Sequence, residues 1–139
     1  MGTQQLLLIV LGVIIVGIAI VVGIQMFETS AAEASKNAII QDLLTAASKA
    51  QAWYRKPSAL GGGNYSFDGL SSKADLYNKA GIDTSTDNGS IIAVPVCNDT
   101  ALQIVMRGKV TNRAGKVFQD TVYITATSAN VGTGVWVSP

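Results

Sequence analysis

The chain has 139 residues, and 14% of them are charged, against a usual share of about 25% in globular proteins. Its length suits one domain with an appendage and excludes two complete hydrophobic cores. A net charge of +1, the lack of histidine and the single Cys97 exclude an intramolecular disulfide and most zinc sites, and they give no reason to expect nucleic acid as a specific partner.

Residues 6–24 form an uninterrupted run of 19 apolar or glycine residues, and the first charged side chain is Glu28. As a helix, this run is about 28 Å long, close to the hydrocarbon thickness of a bilayer. In lipid the backbone of a single segment must bond to itself, which only a helix allows. The sequence therefore predicts a membrane-spanning helix. A cleaved secretory signal is the main alternative, and it is disfavoured because residues 1–5 carry no Lys or Arg.

Three small residues lie on one face of this predicted helix. Gly12, Ala19 and Gly23 are separated by seven and then four residues, which brings them to the same side at helical period. Small side chains let a second helix approach closely, so this face predicts helix-on-helix packing. The alternative is that glycine is simply tolerated in membrane helices.

The helix is predicted to continue beyond the membrane to residue 56. No glycine or proline follows Gly23 until Pro57, so nothing in the sequence ends it earlier. Its second half carries apolar residues at steps of three and four, which predicts one face packed on a folded head. These residues are Ile39, Leu43, Ala46, Ala50 and Trp53. The predicted division is a stem of residues 1–56 and a β-rich head of residues 57–139.

The head is predicted to begin with a glycine-rich connection and a short helix. The connection covers residues 58–69, and the helix covers residues 71–81. Ser72 can cap the beginning of this helix, and Gly81 can close its end in a left-handed conformation. A polar loop is predicted to follow the helix.

Four strands are predicted in the rest of the head, namely residues 91–96, 101–110, 116–127 and 134–137. The second and third alternate apolar and polar side chains and form a hairpin, with Asp120 as the exception on an apolar face. The first contains Pro95, which favours an edge strand. The apolar face of a sheet this small must pack against another element, and the stem is the helix long enough to cover it. The predicted fold class is α+β, with a long N-terminal helical stem packed against a small antiparallel sheet.

This plan resembles a type IV pilin or pseudopilin. The resemblance rests on the apolar first residues, on the unbroken helix to residue 56, and on residues 55–63 and 67–81 of the head region. It implies a major pilin that first spans the inner membrane, loses a basic leader to prepilin peptidase, and is drawn by ATP-driven assembly machinery into an extracellular helical homopolymer. Such a filament on the cell surface would serve adhesion, motility or surface interaction.

The resemblance also implies which residues take part in polymerisation and membrane contact. They are Met1, Gln5, Leu6, Gly12, Gly17, Ala19, Gly23 and Phe27. Pilins usually begin with phenylalanine and carry glutamate five residues in, where this chain has Met1 and Gln5. A glutamine can accept a hydrogen bond from a neighbour's ammonium but cannot neutralise it, so a weaker docking contact is expected. Pilin helices often loosen at a proline, and here only the three glycines are candidates for unwinding.

Several polar patterns in the head have a simpler interpretation. Asp83, Ser85 and Asp87 place oxygen atoms at alternate positions, as in a calcium loop, but the closing carboxylate and central glycine are missing, so a polar loop is favoured. The hairpin end carries a basic group that is interpreted as a solvated turn rather than a polyanion site. Its members are Arg107, Lys109, Arg113 and Lys116.

Three sequons, at Asn64, Asn88 and Asn98, fall in predicted loops and are candidate glycosylation sites. No catalytic set and no cofactor are predicted, because histidine and clustered carboxylates are missing and Cys97 follows an apolar run that favours a small buried side chain. Two alternatives to the pilin remain. One is a membrane-tethered single-pass binding module, and the other is a pseudopilin of a type II secretion system.

Overall fold

The computed structural model describes residues 2–112 and 114–139. Its first element, α1 (Gly2–Arg55), is a single helix of 54 residues, about 80 Å long. The helix is continuous through Gly12, Gly17 and Gly23, so these glycines do not unwind it. It ends just before Pro57, which has no backbone N–H to give to a further turn.

The connection that follows α1 contains two single turns of 3-10 helix, at Ser58–Leu60 and Asp68–Leu70. The short helix α2 (Lys73–Ala80) then begins with Ser72, whose hydroxyl oxygen accepts the Asp75 N–H. Gly81 ends α2 with φ 63° and donates its N–H to the last turn. The predicted helix with its two caps is confirmed.

The head contains one antiparallel sheet of five strands, β1 (Gly89–Cys97), β2 (Ala101–Thr111), β3 (Val117–Thr125), β4 (Ala129–Val131) and β5 (Val135–Val137). The order is β1-β2-β3-β4, and β5 pairs with the other end of β3. The predicted hairpin is β2–β3. β4 was not predicted, and β1 starts two residues before the expected position. β1 is an edge strand, and its pairing with β2 is irregular on the side that contains Pro95.

The core lies between the second half of α1 and one face of the sheet. The stem contributes Ile39, Leu43, Ala46, Ala47, Ala50 and Trp53. The sheet contributes Leu102, Ile104 and Met106 from β2 and Phe118, Val122 and Ile124 from β3. Burying a large apolar side chain contributes roughly 1.5–3 kcal/mol, so this layer holds stem and head together. The α+β fold class is confirmed.

The β2–β3 hairpin lies along α1, and its turn is directed toward the apolar N-terminal half of the helix. We call that end of the stem the lower end and the end near Arg55 the upper end. At the upper end, the Gln51 side-chain amide donates to the Thr125 carbonyl oxygen at 3.0 Å. Midway, Gly108 lies so close to Ile39 that a Cβ there would be 2.5 Å from the Ile39 Cδ1 atom. At the lower end, the turn after β2 faces Gln25 and its neighbours on α1. The hairpin turn therefore lies beside the stem just beyond residue 24.

Candidate functional site

The first half of α1 is an exposed apolar surface. Its large apolar side chains are between 48% and 79% exposed, from Val22 at the lower value to Phe27 at the higher one. The first buried residue on the helix is Ala32. By length and composition, this segment can cross a membrane. Gln5, Leu6 and Phe27 belong to it, whereas Met1 lies outside the described residues.

One side of the stem is uncharged over most of its length, and we call it the uncharged face. At 100° per residue, its members point away from the buried residues that contact the sheet. They are Gln5, Gly12, Ala19, Gly23, Ser30, Ala34, Gln41, Ser48 and Ala52. All are exposed except the half-buried Gly23. Gly17 lies on the other side of the helix, and a Cβ added at Gly12, Gly17 or Gly23 would meet no atom within 4 Å.

The upper end of the stem is enclosed by the glycine-rich connection. The Trp53 indole N–H donates to the Gly61 carbonyl oxygen at 3.1 Å. A Cβ on Gly63 would lie 2.4 Å from the Trp53 ring, and one on Gly69 would lie 2.8 Å from it. These two glycines are therefore required by the close approach of the backbone to the indole ring.

The polar loop after α2 contains the three residues that resemble a calcium loop in sequence, and it contacts the stem. The Asp83 carboxylate lies 3.5 Å from the Lys49 ammonium, and Ser85 forms a β-bridge with Ser90. Asp87 is exposed. Among residues 2–112 and 114–139, no group of three or more His, Cys, Asp or Glu side chains is placed to hold a metal.

The three sequon asparagines differ in their surroundings. Asn64 and Asn98 are exposed, and the Asn98 side-chain oxygen accepts the Ala101 N–H at 2.8 Å. Asn88 is half-buried, and its side-chain nitrogen donates to the Asp42 carboxylate on the stem at 3.0 Å. This nitrogen is the atom that a glycan would need. Glycosylation stays a prediction, and its accessible positions are Asn64 and Asn98.

The basic residues at the hairpin end do not form one described cluster. Arg107 donates to the Gln119 side-chain oxygen at 3.3 Å, and Lys109 donates to the Thr86 carbonyl oxygen. Lys116 is exposed, and Arg113 lies outside the described residues. Two of these cations are thus occupied within the head.

A groove between the stem and the hairpin turn was not predicted from the sequence. We call it the stem–turn groove; it encloses about 360 Å³. Its lining residues are Gln25, Glu28, Thr29, Ala32 and Glu33 from α1, Asn112 and Ala114 from the turn, and Trp136 from β5. The sequence showed Trp136 only as part of a strand, because no local pattern reveals which turn of the stem the hairpin reaches.

Two titratable groups contact the interior of the head, namely the buried Asp120 and the half-buried Cys97. Asp120 is 2% exposed; one carboxylate oxygen accepts the Thr121 N–H at 2.7 Å, and the other has no partner among the described residues. Burial raises the pKa of this carboxyl, and the backbone N–H groups of Thr121 and Gly134 and the charge of Lys36 oppose the rise without cancelling it. The Cys97 thiol donates to the Phe67 carbonyl oxygen at 2.9 Å, and burial raises the thiol pKa, which reduces its nucleophilic form.

Comparison with known proteins gives no relative from which a role could be transferred. No family model, no curated protein and no solved structure matches the chain. The function must therefore be inferred from what the exposed part of the stem and the head can bind.

Proposed function

We propose that this chain is a structural subunit that polymerises through its stem into an extracellular, type IV pilus-like helical filament. The observation that supports this proposal is the exposed apolar half of α1, whose side chains no other described part of the chain covers. Such a surface requires lipid or other protein around it. The same helix continues into the core of the head, so polymerised stems would carry the heads outward.

The uncharged face indicates how copies of the stem would pack. Exposed helix surfaces in water usually carry charged residues, yet exposed positions such as Ala34, Gln41 and Ser48 are neutral. Lipid tails are as apolar as a protein core, so the transfer from membrane to filament gains little hydrophobic free energy. Close contact at small residues, together with work done by assembly machinery, must therefore supply the free energy that favours the filament over the membrane.

The subunit would have two states with different neighbours. Before assembly, residues 6–24 would span the inner membrane, and a prepilin peptidase would have removed a basic leader. After extraction, the same residues would contact other copies of the chain. Gln5 lies on the uncharged face and would accept a hydrogen bond from a neighbour, which is weaker than the ion pair that a glutamate would form. Filaments would serve adhesion, motility or surface interaction.

Electron microscopy of material sheared from cells that express the chain tests this proposal. We expect helical fibres whose subunits retain the apolar run of residues 6–24. Monodisperse particles that detergent alone extracts, without fibres, would contradict polymerisation and favour a membrane-tethered binding module. Short assemblies that never leave the membrane would favour a pseudopilin.

A further inference from the structure

The polar loop after α2 ends in Asn88 and Gly89, which form the single Asn–Gly sequence of the chain. Glycine has no side chain to obstruct its own backbone nitrogen, so this nitrogen can attack the side-chain amide carbon of the preceding asparagine. The attack closes a five-membered succinimide ring, passes the proton of the attacking nitrogen to water, and expels ammonia. Water then opens the ring to aspartate or isoaspartate. In sum, one amide and one water become one carboxylate and one ammonium ion.

The folded head restrains both groups that would react. Gly89 is buried, and its N–H donates to the Thr86 hydroxyl oxygen at 3.2 Å. The Asn88 side-chain nitrogen, which would leave as ammonia, donates to the Asp42 carboxylate at 3.0 Å. The Asn88 carbonyl oxygen accepts the Lys109 N–H at 2.9 Å, which fixes the backbone between the two groups. The reaction therefore requires the loop to open locally.

The same contacts join the loop to the stem. One oxygen of Asp42 on α1 accepts both the Thr86 hydroxyl, at 2.7 Å, and the Asn88 side-chain nitrogen. A carboxylate at position 88 has no donor for Asp42, and its negative charge would face a second one. The other contact of the loop with the stem, between Lys49 and Asp83, is 3.5 Å long and exposed, so it holds the loop only weakly.

We propose that Asn88 is a spontaneous deamidation site that is protected while the loop is joined to Asp42 and reacts when the loop opens. The product keeps the loop apart from the stem, because a carboxylate at position 88 is repelled by Asp42. Each conversion also lowers the net charge of the chain from +1 to zero. This inference concerns the head alone, and it does not require that filaments form.

Peptide mass spectrometry of the full chain, aged in detergent at mildly alkaline pH, tests the protection. We expect Asn88 to convert at least about tenfold faster in urea that unfolds the head than under native conditions, because folding restrains both reacting groups. Natively, Asp42→Ala should react several-fold faster than the unmodified chain. Thr86→Val should do the same, since it removes the hydroxyl that contacts both Asp42 and Gly89. Asp83→Ala is the matched control, because it removes a carboxylate of the same loop that does not contact Asn88.

Three results of this experiment would overturn the proposal. If Asn88 does not convert in urea, it is not a deamidation site. If the rates in urea and under native conditions are equal, the fold does not protect it. If Asp42→Ala and Thr86→Val both react at the rate of Asp83→Ala, the contact with the stem does not control the reaction.

Hydrogen exchange of Asn88→Asp tests the effect of the product on the loop. The reporters are the Gly89 N–H and the Thr86 N–H, which donates to the Gly89 carbonyl oxygen at 2.8 Å. We expect both to exchange several-fold faster than in the unmodified chain. Asn98→Asp is the matched control, because Asn98 uses its side-chain oxygen only to accept hydrogen bonds, such as that of the Ala101 N–H, and a carboxylate can keep them. Unchanged exchange in Asn88→Asp, or an equal increase in both variants, would show that the product does not release the loop.

Discussion

Asp120 is a charged residue in the position of an apolar one. It shares the inner face of β3 with Phe118 and Val122, where an alternating strand would have a hydrophobic side chain. One of its oxygens accepts a backbone N–H, but the other is buried without a partner in the described chain. An unsatisfied buried group of this kind costs about 1–3 kcal/mol. The head is therefore expected to be less stable when this carboxyl is ionised.

The stability of the head should depend on pH through Asp120. Its folded pKa is raised above the ordinary value of 3.8, so the cost of ionisation is absent below pH 3.8 and is fully present above the folded pKa. We expect Asp120→Asn to gain stability relative to the unmodified chain as the pH rises through the folded pKa of Asp120, because asparagine carries no charge that burial would penalise. This advantage should shrink as the pH falls toward 3.8.

Denaturant unfolding of the full chain in detergent, followed by circular dichroism at a series of pH values, measures this difference. Asp87→Asn is the control, because Asp87 is exposed and its substitution should leave the free energy of unfolding nearly unchanged. If the difference in the free energy of unfolding between Asp120→Asn and the unmodified chain stays constant with pH, burial does not penalise the ionised Asp120 carboxylate and the prediction is wrong.

The stem, as an element, has two faces that should respond differently to added bulk. Gly12 lies on the uncharged face, and Gly17 lies on the other side of the helix; apart from the adjacent helix backbone, a Cβ at either position would meet no described atom within 4 Å. We expect Gly12→Leu, or Ala19→Leu on the same face, to reduce fibre yield several-fold, because bulky side chains keep helices apart. Gly17→Leu should have a smaller effect.

Fibre yield is counted by electron microscopy, and membrane insertion is checked by carbonate extraction, which should not change in any of the three variants. Normal fibres from both Gly12→Leu and Ala19→Leu would show that the small residues are incidental to packing.

The upper stem should behave as part of the head core. Leu43 is fully buried, whereas the adjacent Leu44 is 42% exposed. We expect Leu43→Ala to lower the free energy of unfolding by about 2–5 kcal/mol, as for other buried leucines. Leu44→Ala, with the same chemical change, should cost far less. Thermal unfolding in detergent measures the decrease in the free energy of unfolding for each variant. Equal decreases would contradict the prediction, because they would mean that the two leucines are equally buried.

The sequence predicted elements with strong periodic patterns and missed those that depend on distant contacts. The stem, the β2–β3 hairpin and the capped helix α2 each follow from a local rule. β4 has three residues, too few for an alternating pattern, and it is placed by pairing Tyr123 with Asn130 and by the turn at Ser128. The stem–turn groove escaped prediction because hairpin length and stem position together determine it.

The whole molecule consists of two parts with different solvent requirements. The described core cluster begins at Ile39 and includes no residue from the apolar run of the stem. We therefore expect a chain that lacks residues 1–25 to be soluble and monomeric, with the unfolding transition of the head retained and fibres absent. Analytical ultracentrifugation and thermal unfolding measure these properties. Loss of the transition would mean that the first part of the stem also supports the head, and fibres from the shortened chain would remove the stem from the polymer interface.

The helix Gly2–Arg55 extends through both parts of the molecule without a break. Tension applied along its axis would reach the head through the backbone itself, and the layer formed by Ile39, Leu43 and the strands would have to slide as a whole before the head could come away. The mechanical strength of each subunit would then be set by the shear resistance of that layer.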